Sequence, residues 1–220
     1  MRLGLRFWVA MLTLSSQPGF AEEVAHTLSE HDYLDDMPRV LTVSRLAQNV
    51  TDAPSAVTVI DRATIRESGA VDLPDLFRLV PGMYVGANAG YVYNTNHAVS
   101  YHGMTTAYPG NMQVLINGRS VYTPLFGGVK WSELPVALID IERIEVTRGP
   151  NAASYGANAF FATINIITQH PSEISGNSTL LTHGNGRNEA FYRHAGKSGD
   201  WVYRATLGYR QDDGWQRRND

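Results

Sequence analysis

The apolar positions of this chain change their period several times, and each change marks an element. Val57 to Ile60 is a short apolar run that predicts a strand, after which Asp61 caps a short helix through Glu67, stopped by Gly69. Leu73, Leu76, Phe77 and Val80 recur at the spacing of one helical face. Asp72 is the N-cap of that second helix, Pro74 stands in its first turn and Pro81-Gly82 ends it. From Met83 the pattern becomes short strands with long loops. Tyr84-Val85 leads into an Asn-, Gly- and Tyr-rich loop from Gly86 to His97, Val99 to His102 is a strand, and a second loop runs through Pro109-Gly110. Met112 to Ile116 is a strand, and Asn117-Gly118 predicts a tight hairpin into Arg119 to Tyr122. A loop from Pro124 to Glu133 follows, and then two apolar strands, Ile141 to Thr147 and Thr163 to Thr168, around a turn region from Gly149 to Gly156. The pattern is that of a mixed α+β domain whose loops are long enough to carry function.

After Pro171 the period becomes two. Trp201, Tyr203, Ala205, Leu207 and Tyr209 form an apolar row with aromatics near both ends, while Val202, Arg204, Thr206, Gly208 and Arg210 form a mostly polar and basic one. This alternation suits a transmembrane β-strand with lipid on one side and a wet lumen on the other. It suits an amphipathic strand of a soluble sheet equally well. Ser178 to His183 and Glu189 to Ala195 are further strand candidates, joined by Gly184-Asn185-Gly186.

The first residues read as a secretion signal. Arg2 and Arg6 make a basic start, Phe7 to Leu14 an apolar run too short to span a bilayer, and Gly19-Phe20-Ala21 a small-residue cleavage site. Residues 22–51 then form a flexible N-terminal arm, acidic and polar through Asp36. Within it, Met37, Pro38, Arg39, Val40, Leu41, Thr42 and Val43 are β-prone, suited either to strand addition on another protein's sheet edge or to an ordinary first strand.

Charge and composition narrow the classes. Removing Arg2 and Arg6 from the 18 basic residues leaves 16 against 21 acidic ones, with no basic cluster beyond the pair Arg217-Arg218, which argues against nucleic acid as a partner. The chain has no cysteine, so disulfides, thiolate zinc sites and thiol nucleophiles are excluded. No other stretch is apolar enough for a membrane-spanning helix, so any crossing must use strands. Ala152-Ala153-Ser154-Tyr155-Gly156 faintly resembles a nucleophile elbow, but such an elbow needs a strand, a strained turn and a helix, and the residues after Gly156 read as strand. The seven histidines form no metal-binding pair on a helix face, although His97 and His102 could meet across a strand and loop.

Three ordered stretches carry a family likeness: Met112-Gln-Val-Leu-Ile-Asn-Gly-Arg119, Ile139-Asp-Ile-Glu-Arg-Ile-Glu-Val-Thr-Arg-Gly-Pro150 and Ser154-Tyr-Gly-Ala-Asn-Ala-Phe-Phe-Ala-Thr-Ile-Asn-Ile-Ile-Thr168. With Val43-Ser-Arg-Leu, Asp52-Ala-Pro-Ser-Ala-Val-Thr-Val-Ile-Asp61 and Leu76-Phe-Arg-Leu-Val-Pro-Gly82 upstream, they resemble the plug domain of TonB-dependent outer-membrane receptors. The resemblance implies an α+β plug domain at 52–171, a small mixed sheet with short helices. The first antiparallel strands of an incomplete transmembrane β-barrel would follow at 172–220. It implies energised uptake of a scarce ligand such as a ferric siderophore, haem or cobalamin, with no covalent chemistry and no cofactor. The partners implied are TonB, a metal-chelate or similar small-molecule ligand, and outer-membrane lipid. By position, residues 37–43 resemble the TonB box. Arg148, His102 and Glu145 are the implied plug–barrel contacts; His102 stands where the family commonly has arginine, and Ala162 where it often has glycine. Outward loops carrying Tyr91, Tyr93, Asn94, His97 and Tyr108 are the implied ligand contacts. The family's barrel has roughly 22 strands, whereas residues 172–220 hold about four strands of ~9–11 residues with their turns. The expectation is therefore an N-terminal fragment. A free periplasmic plug-like binding module and a periplasmic serine hydrolase using Ser154 are the rival readings.

Overall fold

The computed structural model describes residues 39–43, 45–86, 97–103, 108–125, 127–184 and 186–212, all within one compact unit that spans Met37–Asp220. The expected signal, the arm through residue 36, Met37, Pro38, Tyr91, Tyr93, Asn94 and Arg217-Arg218 lie outside the described residues. A small hairpin opens the described chain, β1 (Arg39–Val40) against β2 (Gln48–Asn49). The central sheet contains β3 (Ala56–Asp61), β6 (Met112–Ile116), β7 (Arg119–Ser120), β8 (Ile141–Arg148) and β9 (Ala162–Thr168), in the order β3-β8-β9-β6-β7. β6 and β9 run parallel, and the other neighbours are antiparallel. A separate hairpin pairs β4 (Met83–Gly86) with β5 (Ala98–Tyr101).

The two faces of the central sheet differ sharply. Ile60, Ile144, Val146, Ile164, Ile166 and Val114 share one face and are buried against Leu73, Leu76, Phe77 and Val80. Phe77 meets Trp131 edge-on, with ring centroids 5.1 Å apart. The apolar spacing predicted that cluster correctly, but residues 73–79 form a 3-10 helix rather than an α-helix. The short segment is closed by a capping box between Asp72 and Asp75, and Val80 leaves it for extended backbone. α1 (Arg62–Glu67) is the expected first helix, with the Asp61 carboxylate accepting the Thr64 N–H at 2.7 Å. The opposite sheet face is polar and still buried: Gln113, Glu145, Thr147, Thr163 and Asn165 all lie on it.

At the Asn117-Gly118 turn both residues have positive φ, 49° and 78°, as a tight right-twisting hairpin requires. A one-turn α2 (Ala152–Tyr155) occupies part of the Gly149–Gly156 turn region. Ser154 lies inside that helix and not on a strand-to-helix corner.

β10 (Gly176–Gly184), β11 (Arg187–Ser198) and β12 (Trp201–Asp212) make an antiparallel meander, the three strands expected beyond Pro171. Its two sides differ. Leu181, Tyr192, Trp201, Leu207 and Tyr209 stand exposed on one side, with Trp201 at 81% and Leu207 at 72%. Glu189, Phe191, Arg193 and Ala195 are buried on the other. Gly208 is needed there, because a Cβ would lie 2.5 Å from the Phe191 ring.

Candidate functional site

Residues 39–43 lie across the polar face of the central sheet, pinned by their backbone. The Leu41 and Thr42 N–H groups each donate to Glu145 Oε2 at 2.9 Å, and Thr42 Oγ1 donates to the same oxygen at 2.5 Å. Arg143 Nε donates to the other carboxylate oxygen at 2.9 Å. Asn151 Nδ2 reaches the Thr42 and Val43 carbonyls at 3.4 and 3.3 Å. Glu145 and Thr42 are fully buried, as is Val40. β8 sets this geometry: its register puts Glu145 between Val59 of β3 and Asn165 of β9. The Gly149–Asn151 turn, held by Gly149 N–H to Phe161 O and Asn151 N–H to Ala159 O, aims the Asn151 amide at the segment. Arg45 then lies over the Tyr155 ring, 4.8 Å from its centroid.

A second polar arrangement joins the central unit to the meander. Arg187 of β11 forks onto Asp72, its two terminal nitrogens 2.7 and 2.8 Å from the two carboxylate oxygens. Glu189 and Asp212 share the same guanidinium at 2.6 and 3.2 Å. Burial pushes the Asp72 carboxyl up, but hydrogen bonds and charge from Arg187 outweigh it and hold the group below the usual carboxylate range. A second junction centres on Asp140, with Arg193 at 3.5 Å and Arg204 at 3.9 Å. Arg193 also donates to Ile139 O, and Arg204 to Gln169 O. The arginines thus belong to the strands, as do Glu189 and Asp212, while Asp72 and Asp140 belong to the central unit.

The remaining expected site residues are dispersed. Glu145 spends its carboxylate on Leu41, Thr42 and Arg143. Arg148 ends β8, and its Nε is buried with no hydrogen-bond partner among the described residues. His102 is exposed with φ 60°, its ring beside Tyr101 at 3.9 Å and its N–H on Gly82 O. His97 and His102 flank opposite ends of β5, and His97 Nε2 lies 3.9 Å from Asp72. Tyr108 packs against Gly128, where a Cβ would fall 2.9 Å from it. Asn151, Asp72, Asp140, Arg187, Arg193 and Arg204 are contacts that the sequence reading did not single out. The Arg193–Asp140 and Arg187–Asp72 pairs span 53 and 115 positions, and the two Asn151 contacts span 109 and 108.

A buried mixed sheet, an N-terminal segment laid on it and a meander exposing an aromatic-rich apolar face together define a plug joined to barrel-type strands. The family model of the TonB-dependent receptor plug domain matches residues 49–163, and the chain belongs to the TonB-dependent receptors. This is a family of receptors and transporters rather than enzymes. The chain is 30% identical over 188 residues to the vitamin B12 transporter BtuB of Photobacterium profundum, covering 86% of this chain and 28% of that protein. It is 30% identical over 181 residues to the iron-regulated outer membrane virulence protein of Vibrio cholerae, covering 79% and 25%. The chain thus spans about a quarter of the length of these relatives. Among solved structures, Pseudomonas aeruginosa FpvA bound to heterologous pyoverdines shares the fold, with TM-score 0.59 at 21% identity over 78% of this chain and 22% of that one. The siderophore receptor PirA of the same organism gives TM-score 0.50 at 25% identity, over 74% and 30%.

Proposed function

We propose that this chain is the front part of an outer-membrane receptor that takes up a scarce ligand of the ferric siderophore, haem or cobalamin kind. TonB supplies the mechanical input by adding a strand to residues 37–43, and residues 1–21 direct export. One observation carries the reading: a short β-prone segment just before the plug sheet is held by its backbone, so a partner that grips backbone can take it over. The exposed row of Leu181, Tyr192, Trp201, Leu207 and Tyr209 supports lipid as the outer neighbour of the meander. The names of the relatives support the ligand class without selecting within it.

The test is Val40→Pro in the intact receptor. Proline removes a backbone donor from the segment, so energised uptake is lost while ligand binding persists. Unchanged uptake removes the TonB assignment.

A further inference from the structure

We propose that the outer face of the β10–β12 meander carries a phospholipid site, in which the Asn177 amide binds a lipid phosphate and Tyr192, His194 and Tyr203 hold that amide in place. The site rests on the reading of this face as lipid-facing and names one lipid contact within it. Three strands converge there: Asn177 of β10 stands directly opposite His194 of β11, and Tyr203 of β12 lies opposite Gly196. Asn177, Tyr192, His194 and Tyr203 are all exposed, on the same side as Leu181 and Leu207. A Cβ at Gly196 would fall 2.9 Å from the Tyr203 hydroxyl, so glycine there lets the phenol cross β11 to His194. Asn177 Oδ1 accepts from His194 Nδ1 at 2.7 Å and from the Tyr192 hydroxyl at 3.0 Å. A carbonyl oxygen only accepts, so Nδ1 carries the proton. Nε2 of the neutral ring then accepts from the Tyr203 hydroxyl at 3.1 Å.

Tyrosines at a membrane surface ordinarily offer their hydroxyls to the boundary with water. Here both phenols spend their protons within the network. Among the described residues, the donors left over are the two N–H groups of the Asn177 amide. An amide donor facing hydrocarbon without an acceptor is costly. The depth of the network supplies one. Asn177 is the second residue of β10 and Tyr203 the third of β12, beside the turn at Gly199-Asp200 and the exposed Trp201. Strand ends of this kind meet the headgroup layer, where phosphate oxygens accept and never donate. A charged acceptor also makes the stronger hydrogen bond. Leu181 and Leu207, further along the same rows, continue from the amide as a surface for the acyl chains. Tyr192, His194 and Tyr203 are positioning residues, since they act through Asn177.

The experiment places the intact receptor in phosphatidylethanolamine bilayers doped with a phosphatidylethanolamine that carries a diazirine beside its acyl ester. After photolysis and trypsin, mass spectrometry reads lipid adducts on peptide 198–204, which holds Trp201 and Tyr203, and on peptide 205–210, which holds Leu207. Asn177→Asp keeps an oxygen for His194 and Tyr192 but replaces the outward donors with an acceptor. It lowers labelling of 198–204 about tenfold and leaves 205–210 unchanged. Gly196→Ala displaces the Tyr203 phenol from His194 and lowers labelling of 198–204 roughly threefold. Neither substitution alters the peptides that are read, and if Asn177→Asp does not assemble, Gly196→Ala decides. Unchanged labelling of 198–204, or an equal fall in both peptides, overturns the site and leaves lipid as the neighbour of the meander. Loss of 198–204 labelling in wild type on adding excess inorganic phosphate assigns the amide to a free anion and also overturns it. Wild type with neither peptide labelled removes the lipid reading and the site together.

Discussion

Arg187 and Asp72 meet face to face across the junction between the plug and the first strands, two nitrogens on two oxygens at 2.7 and 2.8 Å. Both side chains are nearly buried, and the guanidinium also serves Glu189 and Asp212. Arg187→Met leaves these acids without their shared cation, although Arg210 stays near Glu189 and His97 near Asp72. Breaking a buried pair from one side costs about 3–5 kcal/mol. Asp72→Asn costs less, because Glu189 and Asp212 keep their partner. Urea unfolding of the intact receptor in detergent reports the order, and equal losses would refute the sharing.

The same pair sets a pH dependence. Asp72 titrates below its ordinary value of 3.8 in the folded protein, so the unfolded chain takes up its proton first as pH falls. The stability this group contributes is therefore complete above the ordinary value and lost as pH drops through the depressed one. The stability gap between wild type and Asp72→Asn should be constant near neutral pH and narrow below about pH 4. A gap that widens with acid would contradict the sign.

Asn117 adopts φ 49° and fastens the β6–β7 turn to β9, accepting the Thr168 N–H and donating to Thr168 Oγ1, both at 2.9 Å. Asn117→Ala loses the turn preference and both hydrogen bonds, roughly 1–3 kcal/mol. Asn117→Gly restores the backbone freedom only, and falls between. Denaturant midpoints of the three forms should be ordered accordingly.

On the outer face of the meander, Leu207→Arg places a cation where the proposed lipid contact lies. At the bilayer midplane such a change costs about 2–4 kcal/mol. Leu46→Arg, equally exposed on the plug side at 71%, is a surface change within about 0.5 kcal/mol. The fraction of heat-modifiable folded receptor in membranes separates the two, and equal fractions would exclude lipid as the neighbour of Leu207.

Local chemistry was legible wherever a few adjacent residues decide the outcome. The Asn117-Gly118 turn, the Asp61 cap and the alternation along β12 all followed from such short stretches. The apolar face of Leu73, Leu76, Phe77 and Val80 was legible as a buried surface but not as a 3-10 segment, since seven residues with an early proline satisfy either spacing. The family motifs marked the plug but did not reveal what their side chains hold. Glu145 sits among charged neighbours on an ordinary strand, and nothing nearby indicates that its donors come from backbone 103 and 104 residues upstream. Arg187, Arg193 and Arg204 look like the solvated row of an amphipathic strand until the plug supplies Asp72 and Asp140. Pairings of that length depend on how whole sheets dock, which no local period encodes.

The sign of those pairs has a consequence for how the plug is seated against the first strands. Among the described residues, Asp140 is the one carboxylate within ion-pair range of Arg193 and Arg204. Any shift that carries Asp140 inward strands two guanidinium groups along the vacated gap, lining it with uncompensated positive charge. Such a shift is therefore opposed by the cost of leaving buried guanidinium groups without their carboxylate.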